Sequence, residues 1–213
     1  MAFKHFEFIE RHVGMLAILT GVAVSFAGLA EVAPLFIQAN SVEVPEGVKP
    51  FNPLSLAGRD VYVREGCYLC HSQQIRTLDF ETQRYGDYSL AEESAYDRPF
   101  QWGSKRTGPD LARVGGKYSD KWQREHLIDP RAVVPESNMP RYFYLDEKGV
   151  DAKDIQNRMR ALRAIGDPYT DEDIESAPKA VKDKTELDAL VAYLQGLGVD
   201  NVPKERPDPR DVP

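Results

Sequence analysis

The pentapeptide Cys67-Tyr68-Leu69-Cys70-His71 holds the only two cysteines of the chain and a histidine directly behind them. That spacing reads as a c-type haem attachment site. Two thiols on one helical turn reach the two vinyl groups of a single porphyrin, and the next residue points its imidazole at the iron. Two other chemistries use a Cys-x-x-Cys pair. A thioredoxin-like redox pair belongs beside a strand–helix unit, and the flanks here do not alternate like strands. A zinc site needs four ligands, and His5, His12 and His126 have no ligand-like spacing. Haem attachment is therefore the expectation.

One imidazole leaves the opposite axial position to a residue further along the chain. Met139 lies in Pro135-Glu136-Ser137-Asn138-Met139-Pro140, where prolines on both sides stiffen a loop that can aim a thioether. Met159 falls in a predicted helix over 151–165 and reads as an ordinary core methionine. His126, in a predicted helix from Ser119 to about Ile128, is the alternative ligand, or else a structural histidine or a neighbour of a haem propionate. His71 with Met139 is the favoured pair. It raises the potential relative to two histidines and closes the iron to substrate, so the centre transfers electrons and catalyses nothing itself.

Such a centre needs a scaffold and a compartment. The net charge of −7 over 213 residues does not suit a nucleic-acid binder. Val13–Ala30 runs without a charged residue, about 27 Å as a helix, close to the thickness of a bilayer's hydrocarbon. A cleaved signal would have a shorter apolar core and a positive leader, whereas Glu7 and Glu10 offset Lys4 and Arg11 here. A retained single-pass anchor is expected. Lys4 and Arg11 precede it and the next basic residue is Lys49, which puts the N-terminus in the cytoplasm and the remainder in the periplasm. Gly14, Ala17, Gly21, Ser25 and Gly28 make a small-residue stripe, with the glycines one heptad apart. Stripes of this kind let helix backbones approach in lipid, so a membrane partner is expected.

The predicted organisation is a cytoplasmic N-terminus and anchor over 1–39, on one long helix from 4 to 38. A Pro- and Gly-punctuated linker over 40–53, a haem domain over 54–200 and an extended tail over 201–213 follow. A helix from Ser55 enters the haem motif, and a second, capped by Thr185, carries Leu187, Leu190, Val191, Tyr193 and Leu194 on one face and ends at Gly196. Helices capped by Asp151 and by Thr170 with Asp173 fill the interval. The polar, aromatic segment 72–100 is too long for an ordinary connection and reads as a partner-facing excursion.

The first and last of these helices resemble the crossed terminal helices of class I cytochromes c. The fold class expected is mainly α: one transmembrane helix, then a class I cytochrome c-like domain with a long insertion after the haem motif. Gly58 and Gly66 are the candidates for the close crossing. Thr107-Gly108-Pro109-Asp110-Leu111 is similar to the Gly-Pro-x-Leu stretch of that class. The resemblance implies that the Pro109 carbonyl accepts the second N–H of His71.

More specific stretches carry a closer resemblance. They are Gly58-Arg59-Asp60-Val61-Tyr62 through Arg64-Glu65-Gly66, then His71-Ser72-Gln73-Gln74-Ile75-Arg76, Trp102–Leu111 and Asp129–Pro140. Over nearly the whole chain these resemble the mono-haem subunit of cbb3-type cytochrome c oxidases. The resemblance implies one covalent haem c on Cys67 and Cys70, with His71 and Met139 on the iron. It implies electrons received from a di-haem cytochrome c subunit or a soluble cytochrome c donor, and passed to the haem b of a catalytic haem-copper subunit that reduces oxygen and pumps protons. Lys105 and Arg106 become candidates to neutralise haem propionates, with exposed surface charge as the alternative. Competing functions are a membrane-anchored cytochrome of another complex, such as nitric oxide reductase, and a haem-based sensor.

Overall fold

The computed structural model describes residues 3–38, 44 and 46–203. The chain falls into two compact units, Met1–Glu43 and Val44–Pro213. Residues 39–43 and 45, within the predicted anchor end and linker, and 204–213 of the predicted tail lie outside the described residues.

The first unit holds α1 (Phe3–Arg11) and α2 (Val13–Gln38) where one continuous helix was expected. The interruption is His12. Its Nδ1–H donates to the Phe8 carbonyl at 2.7 Å, the acceptor an α-helix would offer to the His12 backbone N–H. That N–H turns to the Ile9 carbonyl at 3.1 Å, a tighter turn. Beyond it, Val13–Pro34 is a 22-residue apolar stretch of α2, long enough to cross a membrane. The Cβ positions of Gly14, Gly21 and Gly28 have nothing within 4 Å.

The second unit is helical. It is built from α3 (Pro53–Arg64), α4 (Asp79–Tyr85), α5 (Asp120–Ile128), α6 (Pro130–Val133), α7 (Ala152–Ala164), α8 (Asp171–Ala180) and α9 (Glu186–Gly196). Among the described residues an isolated bridge, Gly149 to Thr185, stands in place of any strand. The caps explain the boundaries. Asn52 accepts from the Ser55 N–H at 2.9 Å, and Pro53 follows with its φ already helical, so α3 starts two residues before Ser55. Thr170 with Asp173 and Thr185 with Asp188 form reciprocal capping boxes on α8 and α9. Asp151 caps α7.

α3 and α9 pack backbone to backbone. A Cβ on Gly58 would lie 1.9 Å from the Ala189 carbonyl oxygen and 2.8 Å from Tyr193 Cβ. Gly66 does a different job: at φ +71 it turns the chain out of α3, a conformation glycine adopts without steric cost. Two apolar clusters flank the helix pair. Tyr62, Leu127, Leu145, Leu187 and Leu190 anchor one, while Leu56, Ile155, Tyr169, Ile174 and the fully buried Met159 fill the other. Met159 is thus a core methionine, as its helical position suggested.

Because the clash at Gly58 is with backbone, no side chain can relax to relieve it. Gly58→Ala is expected to destabilise the haem domain by about 3 kcal/mol, read as a lowered denaturation midpoint.

Candidate haem-binding site

The motif follows α3 directly. Released by Gly66, Cys67–Leu69 form a single 3-10 turn, closed by the Cys70 and His71 N–H groups on the Cys67 carbonyl at 3.1 and 3.0 Å. Both thiols are free, Cys67 half-buried and Cys70 exposed, on one turn. Burial, then the Glu65 charge, pushes the Cys67 thiol up to about 12. Redox-active Cys-x-x-Cys pairs show the opposite shift, because they react as thiolates.

The His71 Nδ1 lies 2.8 Å from the Pro109 carbonyl oxygen. A carbonyl only accepts, so Nδ1 carries the proton and Nε2 keeps its lone pair for a metal. Burial lowers the His71 pKa, and the Pro109 bond and Asp110 charge act against that shift. The ring rests on Gly108, where a Cβ would come within 2.2 Å of Cε1 and 2.8 Å of Nε2. Two backbone bonds hold the strips together: Gly108 N–H to the Cys70 carbonyl (2.9 Å) and Leu111 N–H to the Ser72 carbonyl (2.8 Å).

Met139 and Cys67 both pack against the cluster of Val61, Tyr62, Leu127 and Tyr193. The Met139 loop is tied at each end: its N–H donates to Ser137 Oγ at 3.2 Å, and the Tyr142 N–H to the Leu127 carbonyl at 2.9 Å. Tyr142 packs against the same cluster as Cys67, and burial, then Cys67 and Cys70, raises its pKa. His126 stacks on Trp122, which stacks on Tyr118 (ring centroids 4.8 and 4.0 Å). Its Nδ1 is buried with no hydrogen-bond partner among the described residues, and burial, then the His71 charge, lowers its pKa.

Residues 72–100, expected to be an excursion, are pinned to the domain. Arg59 donates from Nε to Asp97 (2.5 Å) and from Nη2 to the Pro99 carbonyl (2.6 Å). Arg113 forks onto Glu93, and Trp102 Nε1–H donates to Ser94 Oγ. Phe80 and Phe100 remain exposed.

Sequence reasoning missed a charged cluster at the heart of this region. Arg106 is neither a free surface cation nor a spare charge. It donates to Glu81 at 2.8 Å and Asp110 at 3.2 Å, while Lys105 stays exposed. The Glu81 side chain is 0 % exposed and also pairs with Arg76. Nothing in the local pattern marks Glu81 as buried, since it stands among polar residues.

An α-helical domain with Cys-x-x-Cys-His on one turn, a proline carbonyl behind the histidine and a methionine loop over the same cluster fits the cytochrome c class. More narrowly, the family model described as cytochrome c oxidase, mono-heme subunit/FixO matches residues 6–185, and the chain belongs to that family. Membership makes it a mono-haem subunit of an oxidase complex. A search of curated proteins returned no match.

Arg106 and Arg76 hold Glu81 down to about 2, from an ordinary 4.5. A carboxylate depressed in the folded state contributes stability that is complete above about 4.5 and is lost as pH falls towards 2. Glu81→Gln is expected to be less stable than the parent at pH 7 and to lose less between pH 4.5 and 2. Urea midpoints measured across that window check it.

Proposed function

We propose that this chain is the electron-relay subunit of a cbb3-type oxidase, held in the cytoplasmic membrane by α2 with its haem domain in the periplasm. The observation that carries the reading is the pairing of two free thiols on one turn with a histidine whose Nδ1 is already engaged. Cys67 and Cys70 would hold a haem through thioethers, His71 Nε2 would take one axial position, and the Met139 sulfur the other. A haem held there stores one electron at a time by cycling between ferrous and ferric iron.

The residues of the chain do the remainder. The Pro109 carbonyl keeps the imidazole in one tautomer and strengthens Nε2 as a donor. The buried His126 Nδ1 has no hydrogen-bond partner among the described residues, against the general rule for buried polar groups, and in its Nδ1–H tautomer it would be free to donate to a haem propionate. Electrons would enter from a di-haem cytochrome c subunit or soluble donor, and leave for the haem b of the catalytic subunit. The stripe of Gly14, Ala17, Gly21, Ser25 and Gly28 supplies a face on which that subunit's helices can pack closely.

Purification from the membrane tests the assignment: the chain should accompany an oxygen-reducing subunit that contains haem b, with one haem c per copy of this chain. Isolation alone with fully reversible carbon monoxide binding would point to a sensor instead. Met139→Ala should retain covalent haem, lower the potential and open the ferrous iron to carbon monoxide, because the thioether favours ferrous iron. An unchanged spectrum and potential would remove Met139 from the site. Gly21→Leu, which puts a branched side chain on the stripe, should reduce the amount of haem b recovered with the chain. Full recovery would exclude the packed face.

A further inference from the structure

The hydrogen bond between His71 and Pro109 does not stand alone. Ser72 directly follows His71 and Asp110 directly follows Pro109, and their side chains meet, Ser72 Oγ–H donating to Asp110 Oδ2 at 2.5 Å. The same oxygen accepts from the Gln74 N–H at 3.0 Å and from Arg106 Nη2 at 3.2 Å, and Oδ1 accepts from the Ala112 N–H at 2.8 Å. The carboxylate thus accepts four hydrogen bonds, three on Oδ2 and one on Oδ1. One buried group thus fastens the strip after His71 to the strip after Pro109, beside the two backbone bonds that flank them.

Arg106 extends the clamp. Its Nε–H donates to Ser72 Oγ at 2.7 Å, and Nη2 donates to the Gln74 carbonyl and to Glu81, each at 2.8 Å. Its guanidinium lies 5.2 Å from the centre of the Tyr85 ring. Glu81 and Tyr85 both belong to α4, so the helix within the inserted segment is coupled by charge to the strip after His71 and to Asp110.

We propose that Asp110, locked by Arg106 and Ser72, is a positioning residue for the His71–Pro109 bond and so sets the potential of the haem that His71 holds. This rests on the haem-relay reading above. Shifting the strip after His71 against the strip after Pro109 lengthens or bends that 2.8 Å bond. A weaker bond to Nδ1 makes Nε2 a poorer donor, and a poorer donor stabilises ferric iron less. Loosening the clamp therefore raises the potential. Arg106 makes the idea separable from simple charge effects. Removing a positive charge near the haem favours ferric iron and by itself lowers the potential, whereas losing the clamp raises it.

The test is a spectroscopic redox titration of the full-length, haem-loaded chain in detergent, comparing the parent with Ser72→Ala and Arg106→Gln. Ser72→Ala changes no charge. It is expected to raise the reduced-to-oxidised ratio at fixed solution potential roughly threefold, about 28 mV for one electron. Arg106→Gln is expected to move it in the same direction. Faster solvent exchange of the His71 Nδ1 proton, followed by NMR, should accompany both shifts. A Ser72→Ala potential equal to or below the parent's overturns the proposal, and it decides the matter even if Arg106→Gln fails to load haem. A parent chain that binds no haem would instead sink the functional reading on which the proposal rests.

Discussion

An imidazole that is to serve as an axial ligand must be held with one nitrogen engaged and the other free. In this domain the Pro109 carbonyl meets that requirement, 2.8 Å from His71 Nδ1. Much of the domain serves to keep those two groups together. Gly66 turns the chain so that the motif leaves α3 in a single 3-10 turn. Gly108 leaves out the side chain that would occupy the space of the ring. Gly58 lets α3 and α9 pack backbone to backbone, fixing the platform from which the motif departs.

Around that bond the protein places charge where apolar side chains would be expected. Glu81 is fully buried, and Arg106, Asp110 and Ser72 surround it or connect to it. A buried ion pair repays its desolvation only when the geometry is good and the remaining lone pairs are satisfied. Asp110 accepts from four donors, and Glu81 from two arginines and a backbone N–H. Such a network contributes less to stability than to register. Its directional bonds tie the strips it joins together at several points, which resists their slipping past one another.

The first unit poses a different physical problem. Among the described residues, no residue of the apolar stretch of α2 is buried. Water does not favour so much exposed apolar surface, and a bilayer does. Within lipid, apolar residues alone give helices no reason to associate. Close packing across small residues does, and the Cβ positions of Gly14, Gly21 and Gly28 are open among the described residues.

Much of this was legible in the chain before folding. Cysteine spacing, the uncharged run from Val13, the Thr185 and Thr170 caps and the glycine at 58 each act locally or through side-chain chemistry that sequence displays directly. The haem motif and the helical class followed from them. Other features were decided only when distant segments met. His12 splits the first helix because its own ring competes for the Phe8 carbonyl, a geometric outcome that composition does not reveal. Gly66 serves a turn and leaves the helix crossing to Gly58. The segment over 72–100 is pinned by Arg59 and Arg113, which lie outside it in the chain. Glu81, Arg106 and Asp110 look like surface charges in sequence. They become a buried clamp because the tertiary fold brings the strip after His71, α4 and the segment from Arg106 to Asp110 to one point, and burial is a property of that meeting, not of any residue alone.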